Sequence, residues 1–259
     1  MTSEPPRLFT KLAQTDDDVR AAQRLRYEVF VRELGSDGEG VDHDLQLETD
    51  RFDPYFDHLL LIDRNAPSNV SSGVVGVYRL LRQDQADKIG QFYSEDEYDL
   101  TRLKASGRKL LELGRSCLLP DYRGGAGMYL MWNALAEYVE QHKVEVLFGV
   151  ASFHGTDLEA LAEPLSLLHH RHLAPEDLRV RTVETYFQPM NLVNKEELNA
   201  KSAMLAVPAL IKAYLRLGGY VGDGAFVDHA FNTTDVCLIL DTARMNARHK
   251  SIYEKGGRV

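Results

Sequence analysis

The chain has 259 residues, 44% of them hydrophobic and 27% charged, enough ordinary globular material for a well-packed core. Its 39 acidic and 30 basic residues leave a formal charge of −9, which argues against nucleic acid as a partner. The first ten residues, MTSEPPRLFT, lack the apolar centre of a signal peptide, and no stretch approaches the roughly 20 apolar residues of a membrane span.

Arg7 to Ala13 reads as a first strand. Asp16, Asp17 and Asp18 supply cap and first-turn acids for a helix running to about Leu34, with Val19, Ala22, Leu25 and Val29 along one face and Arg26 and Phe30 beside it. Gly35 to Tyr55 has no periodicity. It reads as a long acidic loop holding Asp42, His43, Asp44, Glu48, Asp50 and Asp53. His58 to Asp63 and Val74 to Leu81 read as the two strands of a hairpin, the second carrying Arg79. Gln83 to Gly107 is polar, reads as irregular, and has Phe92, Tyr93 and Tyr98 as its anchors.

Lys109 to Gln141 reads as one working unit. Leu110 to Leu119 is a buried strand interrupted by Glu112 and Arg115, and a charge buried without a partner is costly, so each should face a partner or substrate. Pro120 closes the strand. Arg123, Gly124, Gly125, Ala126, Gly127 and Met128 then form a loop rich in backbone N–H groups, leading into an amphipathic helix. Strand, glycine turn and helix N-terminus together make an anion cradle, to which Arg123 adds a cation.

Val144 to Ser152 reads as another buried strand, with Ser152, Phe153 and His154 at its end, where sheets of this class place ligands. Ser152 and His154 are equally open to turn-forming or capping roles. His169, His170 and His172 read as an exposed helix end rather than a metal site. Pro208 to Leu217 is a short amphipathic helix with Lys212 and Arg216 on its wet side, and Asp235 to Asp241 a last buried strand before a basic tail of Arg244, Arg248, His249 and Lys250. Cys117 and Cys237 lie in apolar runs and read as small buried hydrophobes of a reducing compartment. With no repeat or dividing linker, the chain reads as one domain over residues 1–259, elaborated beyond about residue 160.

Four short patterns occur in order: Arg26-Tyr27-x-Val29-Phe30, Glu48-x-Asp50-x-Phe52-Asp53, Arg79-Leu80-Leu81 and Glu112-x-x-Arg115. Together with the glycine loop they resemble the GNAT N-acyltransferase superfamily. The match is to its branch of acyl-homoserine-lactone synthases and ornithine N-acyltransferases. Pro208 to Gly219, Phe231 to Leu240 and Ser152-Phe153-His154-Gly155 look like the ornithine side.

The resemblance implies an α/β (α+β) GNAT-like fold: a central mixed, twisted sheet with splayed strands, flanked by helices. It implies transfer of a long-chain 3-hydroxyacyl group from acyl carrier protein to L-ornithine. No cofactor is implied beyond the carrier's phosphopantetheine thioester, which is a co-substrate. Glu48, Asp50 and Glu112 are the implied catalytic acids, with Glu48 as base if burial raises its pKa. Arg26, Phe30, Asp53, Arg79, Arg115, Ser152, Phe153 and His154 would line the substrate. The loop Arg123 to Met128 departs from the usual superfamily spacing and suits the single phosphate of a pantetheine arm. The protein should be cytoplasmic, with contact at the inner membrane face left open, where the basic tail could meet carrier protein or anionic lipid. Glutamine, another amino acid or S-adenosylmethionine as acceptor remains an alternative, as does a non-catalytic acyl-binding module.

Overall fold

A computed structural model describes residues 6–245. In chain order the elements begin with β1 (Leu8–Leu12), α1 (Asp16–Arg26), β2 (Val41–Asp42), β3 (Leu47–Glu48), β4 (Asp57–Asp63), β5 (Val74–Arg82) and α2 (Gln83–Ile89). There follow β6 (Tyr98–Asp99), α3 (Thr101–Ala105), β7 (Leu110–Leu118), α4 (Gly125–His142), β8 (Val146–His154) and α5 (Ala162–His172). The last are β9 (Arg181–Thr182), α6 (Ala200–Ala206), α7 (Ala209–Arg216), β10 (Tyr220–Val221), β11 (Phe226–Asp228) and β12 (Thr233–Asp241). The chain divides into two compact units: residues 6–89 with Leu113–Lys143, and Gly90–Glu112 with residues 144–245.

In the first unit the strand order is β1-β4-β5-β7, with β1/β4 and β4/β5 antiparallel. β5 is buried from Val74 to Leu81, so its apolar run is continuous rather than alternating. Helix α1 begins at a Thr15 cap, whose side chain accepts from the Asp18 amide. It buries Ala21, Ala22 and Leu25 against Leu60, Ile62, Val74, Val77 and Cys117. Where the sequence predicts α-helix to about Leu34, the last stretch, Tyr27–Glu33, winds as a wider π-helix. Burial pushes the Cys117 thiol up to about 12, as expected of an inert packing residue.

In the second unit β7 and β8 are parallel over Leu110–Glu112 and Val146–Phe148, and β12 pairs antiparallel with β8 along its whole length. β10 and β11 both pair with β12. The stretch predicted to be irregular from Gln83 to Gly107 instead holds α2, a 3-10 turn at Tyr93–Asp96, β6 and α3. Each element is too short to show a period, and burial of single residues such as Ala86, Phe92, Tyr98 and Leu103 fixes them. Phe92 packs edge-on to Phe148 at 5.0 Å, and the buried Tyr98 donates its hydroxyl hydrogen to the Asp235 carbonyl at 2.8 Å. Arg244 pairs with Asp177 and Asp241, while Arg248, His249 and Lys250 lie outside the described residues. Among the described residues no helix is long and apolar enough to cross a membrane.

Candidate active site

The first unit carries an arginine-carboxylate network assembled from four separate stretches of chain. Arg26 is the last residue of α1 and is fully buried. Its Nε donates to Glu48 Oε2 at 2.5 Å, and its two terminal nitrogens donate to Asp53 Oδ1 and Oδ2 at 2.6 and 2.8 Å. Arg79, equally buried in β5, donates from Nη1 to Asp53 Oδ1 and Asp50 Oδ2, both at 2.7 Å, and lies 4.3 Å over the Phe56 ring. Arg115 in β7 donates to Glu48 Oε1 at 3.1 Å and stands 3.7 Å from Asp50 Oδ2. Three guanidinium groups thus face three carboxylates. Burying one charge alone costs several kcal/mol, so the arrangement is stable only as a paired set.

The loop residues are held by local chemistry. Asp50 Oδ1 accepts from the Phe52 and Asp53 amides at 2.9 and 3.1 Å, which makes 50–53 a tight turn. β2 and β3 pair as a small hairpin, Val41 with Glu48, and Gly40 passes so near it that a Cβ there would lie 1.7 Å from the Thr49 carbonyl oxygen. Only glycine fits, and the buried position of Glu48 depends on it.

The network has an inside and a wet edge. The side chains of Arg26, Glu48, Asp53 and Arg79 are at most 5% exposed, whereas Asp50 and Arg115 are 17% and 14% exposed. One carboxylate and one guanidinium therefore reach solvent side by side, a pairing complementary to a zwitterion. Arg115 holds a left-handed backbone, φ 50°, in mid-strand. Non-glycine residues avoid that region at a cost of about 1–2 kcal/mol and hold it where surrounding contacts enforce it.

A general base near neutral pH needs a carboxylate whose pKa is raised. Burial acts on Glu48 in that direction, but the charges of Arg115, Arg26 and Arg79 outweigh it and hold Glu48 below the usual range. Asp53 is likewise held far down: burial opposes, while Arg26, Arg79 and Gln23 prevail. The condition attached to Glu48 as base is therefore not met. It stands as an ionised anchor for two arginines.

Glu112 belongs to the second unit. Its oxygens accept from the Tyr93 and Ser94 amides, both at 2.7 Å, and from the Ser94 hydroxyl, so it pins the 3-10 turn. Phe30 packs half-buried on the core beside α1. Ser152, read from sequence as ending a strand, and Phe153 and His154, read as following it, are its last three residues, because β12 extends to pair Thr233 with His154. Phe153 is buried, and Ser152 and His154 alternate outward as exposed side chains.

The glycine loop leads directly into α4. Gly124 and Gly125 both have positive φ, 81° and 56°, and with Ala126 they are exposed at the start of an 18-residue helix. Gly127 serves packing. A Cβ there would meet the Tyr122 carbonyl at 2.8 Å and Leu61 at 3.1 Å, so glycine lets the helix lie close on the sheet. Arg123 is engaged within the fold: its terminal nitrogens donate to both oxygens of Glu33 at 2.6 and 2.5 Å, and its Nε to the Leu118 carbonyl. Met128 follows in the first turn, half-buried.

Residues 25–133 match the family model described as an acetyltransferase (GNAT) domain. An L-ornithine N(alpha)-acyltransferase of Rhodobacter capsulatus is 57% identical, covering 98% of both chains. One of Brucella abortus is 45% identical over 95% of this chain and 88% of its own. The chain belongs to the L-ornithine N(alpha)-acyltransferase family. A solved CoA-dependent acyl-homoserine lactone synthase shares the fold, with a TM-score of 0.51 over 96% of this chain and 89% of its own at 13% identity. All four motif patterns fall within residues 26–115, inside the stretch the family model matches.

Several residues of the site escaped the sequence reading. Gln23 donates to Asp53 Oδ2 at 2.9 Å, and His58 Nε2 sits 3.0 Å from the Asp53 carbonyl. Burial lowers the His58 pKa, so the ring is neutral there. Gln23 lies one helical turn before Arg26 on the same face, a spacing that would have pointed to it. Gly40 and Phe56 gave no such signal.

Proposed function

We propose that the protein transfers an acyl group from a thioester to the α-amine of L-ornithine, as the names of its relatives describe for them. The donor in this reading is a 3-hydroxyacyl chain on acyl carrier protein. What carries the reading is the Asp50–Arg115 edge of an otherwise buried, charge-balanced network, in a chain 57% identical to a named L-ornithine N(alpha)-acyltransferase.

Arg115 presents a planar fork to the α-carboxylate, and Asp50 accepts hydrogen bonds from the α-ammonium. The network behind them supplies no mobile charge, so both are held in place when the zwitterion arrives. Asp50, rather than Glu48, is the network acid that reaches solvent, and the ammonium proton passes to water at that edge. The freed nitrogen attacks the thioester carbonyl carbon. A C–N bond forms, the C–S bond breaks, and the departing thiolate takes up a proton, giving an amide and free carrier thiol. The exposed amides at the start of α4 suit the single phosphate of a pantetheine arm. Engagement of Arg123 with Glu33 leaves that task to the backbone.

The test is an acyl-transfer assay with 3-hydroxyacyl carrier protein and ornithine, glutamine or S-adenosylmethionine in parallel, products being identified by mass. The expected product is Nα-(3-hydroxyacyl)ornithine. Product with glutamine or S-adenosylmethionine alone overturns the acceptor. Turnover only with acyl-coenzyme A overturns the donor. Carrier binding with no thioester consumed leaves a binding module and overturns the whole reading.

A further inference from the structure

Helices α6 and α7 of the second unit are apolar on two faces. Inward, Ala203, Val207, Ile211, Tyr214 and Leu217 are all 5% exposed or less, which accounts for their packing on the unit. A surface helix ordinarily turns polar residues to the other side. Here Leu205 is 74% exposed, the largest value among the described exposed bulky apolar residues, and Ala206 and Ala209 are also exposed, with Met204 and Leu210 half-buried.

The charges carried by α6 and α7 themselves have one sign. From 198 to 222 the sequence carries Lys201, Lys212 and Arg216 and no acid, in a chain whose formal charge is −9. Lys212 Nζ donates to the Leu205 carbonyl at 3.2 Å, which sets a cation next to the exposed leucine's own backbone. The neighbouring acids lie at the start of α6: Glu163 of α5 accepts from Ser202 at 3.0 Å, and Glu196 and Glu197 precede the helix. Exposed apolar side chains flanked by cations are the pattern of helices lying in a membrane interface, where leucine enters the acyl boundary and lysine and arginine meet anionic headgroups.

We propose that α6 and α7 form a docking surface for an anionic lipid bilayer, with Leu205 inserted and Lys201, Lys212 and Arg216 at the headgroups. The charge pattern selects this occupant over an apolar protein partner, whose contact would not need a positive rim. The surface stands apart from the acyl-transfer reading, because lipid binding is measured without turnover.

Full-length protein should sediment with vesicles of phosphatidylcholine containing one-third phosphatidylglycerol, and far less with phosphatidylcholine alone. Leu205→Glu should weaken that binding by about tenfold or more, since it removes the inserted group and repels the headgroups. Ala209→Glu should act in the same direction, guarding against an effect of one variant on folding. K212Q/R216Q should remove most of the salt dependence. The control R248Q/K250Q tests the tail and should keep most of the binding. Wild-type protein that ignores anionic vesicles, or L205E and A209E that bind as wild type does, would overturn the proposal. So would loss of binding on changing the tail alone. Self-association of the wild type that L205E abolishes, without vesicle binding, would give the face to a second copy instead.

Discussion

The arginine-carboxylate network and the glycine loop both come from the first unit, yet they are built on opposite plans. The network draws Arg26, Glu48, Asp53, Arg79 and Arg115 from places as much as 89 residues apart and buries most of them. The loop is one contiguous stretch, largely exposed, shaped by two positive-φ glycines and the start of α4. The difference teaches where each region keeps its function. A buried lattice is rigid and expresses its chemistry only at its edge, whereas a loop offers its backbone along its whole length.

That contrast is broken most severely by removing a guanidinium from inside the network. Arg26→Gln would leave Glu48 and Asp53 buried with much of their compensation gone, a situation that typically costs about 3–5 kcal/mol. Denaturant unfolding should show a loss of that size with the slope unchanged. A change under about 1 kcal/mol would mean that water enters the site and the lattice is not dry.

The edge should behave differently. Arg115→Gln removes a partly exposed group, so the fold should persist while the KM for the amino-acid acceptor rises. A charge-assisted hydrogen bond is worth about 1.5–3 kcal/mol, or roughly tenfold to a hundredfold. The KM for the acyl donor should hardly move. A loss confined to the donor would place Arg115 on the thioester side and reassign the acceptor's carboxylate.

How much of this was legible in the sequence follows the same division. The β4/β5 hairpin and the first helix were readable because burial writes a long apolar pattern. The members of the network were readable as a motif set, but their physical state was not. Opposing burial and arginine charge meet at Glu48, and only geometry decides that the arginines win. The left-handed backbone of Arg115 has no sequence mark, since no glycine or asparagine stands at that position. Phe153 and His154 went to the strand because Thr234 and Thr233 of β12, some 80 residues away, extend to meet them. In the loop the glycines were visible, but the close approach of the Tyr122 carbonyl and Leu61 to Gly127 was not.

The smallest expected effect lies in the loop. Arg123 and Glu33 form a two-point ion pair whose side chains are 42% and 34% exposed. Exposed pairs of this kind contribute about 0.2–1 kcal/mol, so Arg123→Ala should lower stability by no more than that. If the amides of α4 rather than this guanidinium hold the donor phosphate, the donor KM should rise less than tenfold, about 1.4 kcal/mol, and the acceptor KM should stay fixed. The companion Glu33→Gln separates the two roles, because it releases Arg123 without removing it. A donor KM that rises steeply in Arg123→Ala and falls in Glu33→Gln would show the arginine leaving its carboxylate for the phosphate. The loop would then share the network's plan, with a side chain rather than the backbone holding the phosphate.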